Sequence, residues 1–290
     1  MFKDYIHLHL HTMWSSLDST IQIPQMIEKC EKYGMRAVAV TDHGVAAAIY
    51  ELWKKTKDTK IKGIIGMEAY MSPTDDHTVR EKLEDEPNYY HLNLIAKNAA
   101  GVKEIFELSS RGYLEGFYYK PRVSLKMVEE VGKNLIVLGA CVKGPVNWNI
   151  YKNKPDKALL FADRLKQSFG DDFYLELMDH GLEWQAPLNK QVAVLANKLD
   201  INLVPTNDAH FLNKENHRIH TMMMCSQLKK NLKQLKEVNM MYPVDCYMKT
   251  PGEMKELFGE ELCKKTLSVA EKVDIQLDFS KTLFPKFKRD

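Results

Sequence analysis

The sequence predicts an α/β protein: a distorted, TIM-like (β/α)7 barrel with a small α-rich appendage at its C-terminal end. Three observations point there. Seven short β-branched or aromatic runs recur along the chain, most followed by a segment of helical period. Two of them, Val38-Ala39-Val40 and Leu135-Ile136-Val137-Leu138, are continuously apolar, as strands covered on both faces are. The 290 residues suffice for a barrel of roughly 250 and leave a remainder. Strand–helix alternation predicts a parallel sheet, closed into a barrel whose active site lies at the C-terminal ends of its strands.

The strands are read at residues 5–10, 36–41, 63–71, 91–96, 135–140, 173–178 and 202–206. Helical patterns fill 22–33, 46–57, 102–110, 125–131, 155–169 and 184–199. Residues 73–88 are polar and charged and read as a long loop. From residue 215 the texture changes. A Lys-rich helix at 228–236 precedes residues 242–250 and a helical pair around 253–272. The expected division is therefore a barrel over 1–214 and an appendage packing on it over 215–290.

Composition narrows the function classes. Forty-one Lys and Arg against 39 Asp and Glu give a net charge of 41 − 39 = +2. That argues against a protein that coats nucleic acid wholesale, while leaving room for a focused basic patch. Hydrophobic residues at 44% and charged residues at 28% exclude a disordered chain. The longest uncharged apolar run, residues 135–142, is too short to span a bilayer, so no membrane partner is expected. The first residues lack the apolar core of a signal peptide. Five scattered Cys with no CxxC spacing read as reduced thiols in a cytoplasmic protein.

The chemistry lies in where the strands end. His9 and His11, two apart, share a face of the first strand, and Asp18 follows in the next loop. Thr41-Asp42-His43-Gly44 closes the second strand, Glu68 lies late in the third and His91 opens the fourth. Cys141 ends the fifth, Asp179-His180 the sixth, and Asn207-Asp208-Ala209-His210 the seventh. These side chains bind divalent transition metals. A lone strand-end His is usually a hydrogen-bonded core or loop residue, and Asp-His-Gly alone is often a turn. Ligand types at five or more independent strand ends make a joint pattern that neither explains. They exceed the needs of one tetrahedral ion and suit two or three sharing a carboxylate.

These residues also carry a resemblance. His9-Leu10-His11-Thr12, Thr41-Asp42-His43-Gly44, Gly66-Met67-Glu68, Tyr90-His91-Leu92 and Asn207-Asp208-Ala209-His210 resemble the motifs of the PHP (polymerase and histidinol phosphatase) superfamily. Ala96-Lys97-Asn98, the run Glu115-Gly116-Phe117-Tyr118-Tyr119-Lys120-Pro121-Arg122, Phe173-Tyr174-Leu175-Glu176-Leu177 and the ending Phe284-Pro285-Lys286-Phe287 look like the branch found in bacterial DNA polymerase III alpha subunits. The resemblance implies a trinuclear centre held by His9, His11, Asp18, His43, Glu68, His91, Cys141, Asp208 and His210. Glu68 would be the bridging carboxylate. Ser19 stands where the family often has Gly, and Met13-Trp14 replaces an acidic-aromatic pair, but no ligand is lost. No Asp pair of the polymerase-palm type is present, so nucleotide polymerisation by this chain is not expected.

The implied activity is metal-dependent phosphoester hydrolysis, with Zn2+ or Mn2+ as cofactor and Glu68, Asp208 and His210 as catalytic residues. The favoured substrate is the 3′ end of single-stranded DNA, which gives 3′→5′ exonuclease proofreading. Two alternatives stand beside it: a non-catalytic, metal-stabilised module binding a polymerase core or another replisome subunit, and a small-molecule phosphatase or pyrophosphatase. Tyr118, Lys120 and Arg122 set an aromatic ring beside cations and are the expected substrate contacts; a packed loop with a solvated Lys is the plain alternative. Trp14 suits base stacking or the core equally. His7 and His180 are read as possible supports of the ligands. The Lys-rich helix is read as a solvated face and the His217/His220 pair as structural.

Overall fold

The computed structural model describes residues 5–238 and 241–279; the segment 284–287 quoted above lies outside them. The molecule is α/β, a curled sheet surrounded by helices. β1 (Ala37–Val40) and β6 (Leu135–Leu138) are buried throughout, as their continuous apolar runs require. Helix α1 (Ile23–Tyr33) opens on Pro24, buries Ile23, Met26, Ile27 and Cys30 at helical spacing, and stops at Gly34 with φ +68°. Helices α2 (Ile49–Thr56), α3 (Ala99–Leu114), α4 (Leu125–Val131), α6 (Pro155–Phe169) and α7 (Gln185–Lys198) fall on or near the segments of helical period. The short α5 (Pro145–Tyr151) is an addition that the polar Asn-rich sequence did not signal.

The strands β2 (Lys62–Met71), β3 (Tyr90–Ala96), β7 (Phe173–Leu177) and β8 (Asn202–Pro205) complete the order β1-β2-β3-β6-β7-β8. A hairpin of β4 (Phe117–Tyr118) and β5 (Lys120–Val123) joins the end of β2 beyond β1. The sheet is not all parallel. β3 runs antiparallel to both β2 and β6. The polar segment between β2 and β3 contains no helix to carry the chain back, so the strand returns in the opposite sense.

The first expected strand is not a regular one. Residues 5–11 form an extended stave with a bend at Leu8 and His9. It bonds to one side through Ala39 N–H to His7 O (2.8 Å) and Thr41 N–H to Leu10 O (2.9 Å). On the other side His11 N–H meets Ala209 O at 2.9 Å, and Leu10 bridges Ala209. The stave thus closes the gap between β1 and the chain following β8.

Inside, Ile6, Leu8, Ile64, Ile95, Ile136 and Val204 form an apolar layer. Past β8 come α8 (His217–Gln227), α9 (Leu232–Glu237), α10 (Pro251–Phe258) and α11 (Glu260–Glu271). Val269, Ala270 and Val273, at the end of α11 and just beyond it, close that layer from below. The expected single helix over 228–236 is corrected: the chain breaks at Lys229 (φ +52°), and α9 restarts at Leu232 under an Asn231 cap. Along β2, Ile64 and Glu68 share a face, as Ile95 and His91 do along β3. One end of the interior is therefore oily, and the other carries the ionisable groups.

Candidate metal centre

Glu68 is the hub. Its carboxylate, 1% exposed, faces four imidazoles: His9 Nε2 at 3.2 Å, His43 Nδ1 at 2.7 Å, His91 Nδ1 at 3.0 Å and His11 Nε2 at 3.6 Å. Gly66 makes its approach possible. A Cβ there would lie 2.7 Å from Leu94 O and 2.8 Å from the Thr41 side chain, so only Gly lets β2 sit this tightly between its neighbours. The reversal of β3 puts His91, a residue at the start of its strand, beside Tyr70 near the C-terminal end of β2. In the all-parallel barrel expected from sequence it would have faced the wrong mouth.

Asp208 (φ +45°) reaches His9 Nε2 at 3.3 Å and His11 Nε2 at 3.1 Å with the same Oδ1. Asp18 reaches His43 Nε2 at 2.7 Å and His210 Nε2 at 3.4 Å. Three triads have their ligating atoms within 4.8 Å of one another: His9, His11 and Asp208; His11, His43 and His210; His43, Glu68 and His91. Cys141 sits at the margin, its Sγ 3.9 Å from His91 Nδ1, and burial pushes its thiol pKa well up. The structure therefore gathers all nine sequence-predicted ligands at one mouth, with Asp18 and Cys141 outside the three triads.

A hidden layer fixes which nitrogen each ring presents. His9 Nδ1–H donates to Glu176 (2.8 Å), which also accepts from the Thr206 hydroxyl (2.6 Å) and the Ala140 N–H (2.7 Å). His11 Nδ1 lies 3.3 Å from Ser15 Oγ, and Ser15 donates to Asp42 at 2.7 Å. His210 Nδ1–H donates to Asp208 O (2.8 Å). In each case Nε2 is left with its lone pair facing the centre. Ser19 holds the Asp18 loop, its hydroxyl 2.6 Å from His11 O and 2.9 Å from His210 O.

Buried, yet without hydrogen-bond partners of good geometry, are His9 Nε2, His11 Nε2, His43 Nδ1, both Glu68 oxygens, Asp208 Oδ1 and His210 Nε2. Orphan groups of this kind are costly unless something else satisfies them. Lone pairs and carboxylate oxygens aimed at a common point are the donor set of a divalent cation. Burial disfavours charge on His43, but Glu68 and Asp18 outweigh it and push its pKa up to about 10. Burial dominates at His11, helped by His43 and His210, and brings it down to about 3. Neighbouring carboxylates thus favour positive charge at His43, while burial keeps the His11 ring neutral, the form in which an imidazole binds a metal.

Of the expected substrate contacts, only Lys120 lines the cleft. Arg122 is 1% exposed, and its guanidinium bonds the carbonyls of Gly116, Asn88, His77 and Val79, anchoring the polar loop. Its centre lies 4.9 Å from the Tyr118 ring, and neither residue lines the cleft. Four carbonyls and one ring engage the guanidinium, which accounts for its burial. Lys120 does line the cleft, with Tyr119 rather than Tyr118 beside it. His7 is turned away by the bend after it and meets Lys249 O at 2.8 Å. His180 lines the cleft and bonds Asn207 O and Gln185. His217 and His220 bond Tyr242 O and Asp18 O, so they brace loops. The cleft above the cage is about 1070 Å³.

Among the described residues, no helix is long and apolar enough to cross a membrane. The PHP domain model matches residues 7–180. The DNA polymerase III subunit alpha of Aquifex aeolicus (strain VF5) is 37% identical over 302 residues, covering 99% of this chain and 26% of that one. Its counterpart in Helicobacter pylori (strain ATCC 700392 / 26695) is 34% identical over 95% of this chain and 23% of its own length. That of Thermus aquaticus is 32% identical over 94% and 23%. The chain spans about a quarter of the length of these curated relatives.

Proposed function

The chain belongs to the PHP domain family, and on that premise we propose that it is a metal-dependent phosphoesterase that acts on DNA 3′ ends as a 3′→5′ exonuclease. The observation that carries this is the set of unpartnered, buried imidazole and carboxylate atoms converging around Glu68. His9, His11, His43, His91, His210, Glu68 and Asp208 would hold two or three divalent ions, Zn2+ or Mn2+, with Asp18 and Cys141 at the margin. Such ions, when bound, supply Lewis acidity toward a phosphoryl oxygen and a water of lowered pKa.

The protein's own part is orientation. Glu176, Ser15 and the Asp208 carbonyl keep the protons of His9, His11 and His210 on Nδ1, away from the centre. Glu68 offers two oxygens to opposite sides of the cage, the property a bridging ligand needs. Asp208 and His210 line the cleft beside the cage, and with Glu68 they would act on the reacting phosphate. The names of the relatives support a DNA substrate and a cytoplasmic replication setting, with a polymerase core or other replisome subunit as partner.

The test is digestion of 5′-labelled single-stranded DNA with Mn2+. Stepwise shortening from the 3′ end, abolished by His9→Ala and by Asp208→Ala, is the expected result. Metal-loaded protein that turns over neither DNA, pyrophosphate nor phosphate monoesters removes the reading. One observation favours a second role for the same ions. Their ligands come from segments as far apart as residues 9 and 210, where the barrel closes, so bound metal would also fasten the fold.

A further inference from the structure

The β4–β5 hairpin turns on one residue, Tyr119, with φ +60°. That region suits Gly or Asn; a residue with a Cβ pays about 1–2 kcal/mol there. Tyr119 returns little to the core for this cost. It is 69% exposed, and among the described residues its ring contact is with Tyr118, at 4.6 Å between centroids. Its ring lines the cleft above the cage. Beside it the Lys120 ammonium lies 5.2 Å from the centre of the Tyr70 ring, and Tyr70 stacks on His43 at 5.5 Å and 17°. Lys120 is therefore one ring removed from the cage. Trp14, 42% exposed and steadied by a 2.9 Å bond from Nε1–H to Glu51, lines the same cleft. An exposed ring held in place on a strained turn, next to a cation, matches what an unpaired nucleotide needs: a face for its base and a positive charge for its phosphate.

We propose that Tyr119 is a stacking platform for one nucleobase of a single-stranded nucleic acid, and that Lys120 neutralises a neighbouring backbone phosphate. This rests on the phosphodiesterase reading above and specifies where the strand lies. Pyrophosphate, or a phosphate monoester of a non-nucleoside alcohol, has no base to place on the ring.

The experiment measures binding apart from cleavage. A short single-stranded, 5′-fluorescein-labelled oligodeoxynucleotide with phosphorothioate linkages is titrated with the Mn2+-loaded protein, and anisotropy is read. Tyr119→Gly suits the left-handed turn, so its melting temperature stays at or above that of the unaltered protein. Its affinity for the oligonucleotide is expected to fall about tenfold, within the range for loss of one stacked base. Tyr119→Phe is expected to restore it. An abasic scan gives one position at which Tyr119→Gly no longer matters. Lys120→Ala is expected to lower the slope of log affinity against log salt by about 0.7.

Unchanged affinity of Tyr119→Gly overturns the proposal, and so does an equal loss at every abasic position. If the unaltered protein binds in this pattern yet shortens no DNA, the exonuclease reading falls and the platform stands.

Discussion

Glu176 gathers three donors on a buried carboxylate: His9 Nδ1–H, the Thr206 hydroxyl and the Ala140 N–H, the last on a residue with φ +60° just before Cys141. Glu176→Ala removes all three bonds at once. It is expected to cost about 10–100-fold in metal affinity, read as Mn2+ or Co2+ binding, with Glu176→Gln retaining more than Ala. Gly44 is a second sensitive position. Its φ is +63°, and an added Cβ would come within 3.1 Å of the Tyr70 ring that stacks on His43. Gly44→Ala should lower stability by about 1–3 kcal/mol in denaturant titration, and metal affinity should fall with it. The residues of the cage were legible because most are conspicuous residues at or just beyond a strand end. Glu176 had one signal, an acid inside the otherwise apolar run Phe173–Leu177. The burial of Arg122 could not be read, since nothing in its neighbours reveals that three distant carbonyls meet its guanidinium.

At the level of elements, α11 is held by particular contacts rather than by area alone. Thr266 accepts the buried Ile6 N–H at 3.0 Å, tying the helix to the stave. Thr266→Val keeps the shape and orphans that N–H, so a loss of about 1–3 kcal/mol is expected by equilibrium unfolding. Asp172 bonds Lys97 at 2.7 Å and Lys272 at 2.9 Å, linking the end of β3, the start of β7 and the end of α11. Burial disfavours its charge, but the two ammonium groups prevail and hold its pKa below the ordinary aspartate value. Its contribution is therefore present above that value, near pH 4, and is lost as the pH falls through the lowered one. Lys272→Met should cost under about 1 kcal/mol near neutrality, and the difference from the unaltered protein should shrink in acid, as unfolding curves at several pH values would show. Periodicity located most of these elements but not the direction of β3. An alternating or apolar strand reads the same in both senses, and only the connection decides.

For the molecule as a whole, ions held in the cage would be coupled to the closure of the barrel. Removing metal with a chelator should lower the melting temperature, and restoring Mn2+ should raise it again. At about a thousand times the dissociation constant the stabilisation is about 4 kcal/mol; a melting curve indifferent to both treatments would show that no such site is filled. The seven-stave closure was legible in outline from the alternation of strands and helices, while the irregular first stave was not, because its bend follows from neighbours far along the chain. That stave has a consequence for synthesis. Residues 5–11 leave the ribosome before both of the segments they seat between, residues 37–41 and 209. At about 5–20 residues per second, they wait some tens of seconds for their second partner. Until then the nascent chain carries His9 and His11 without Asp208 and His210 opposite them, so two of the three triads can be completed only after translation has passed residue 210.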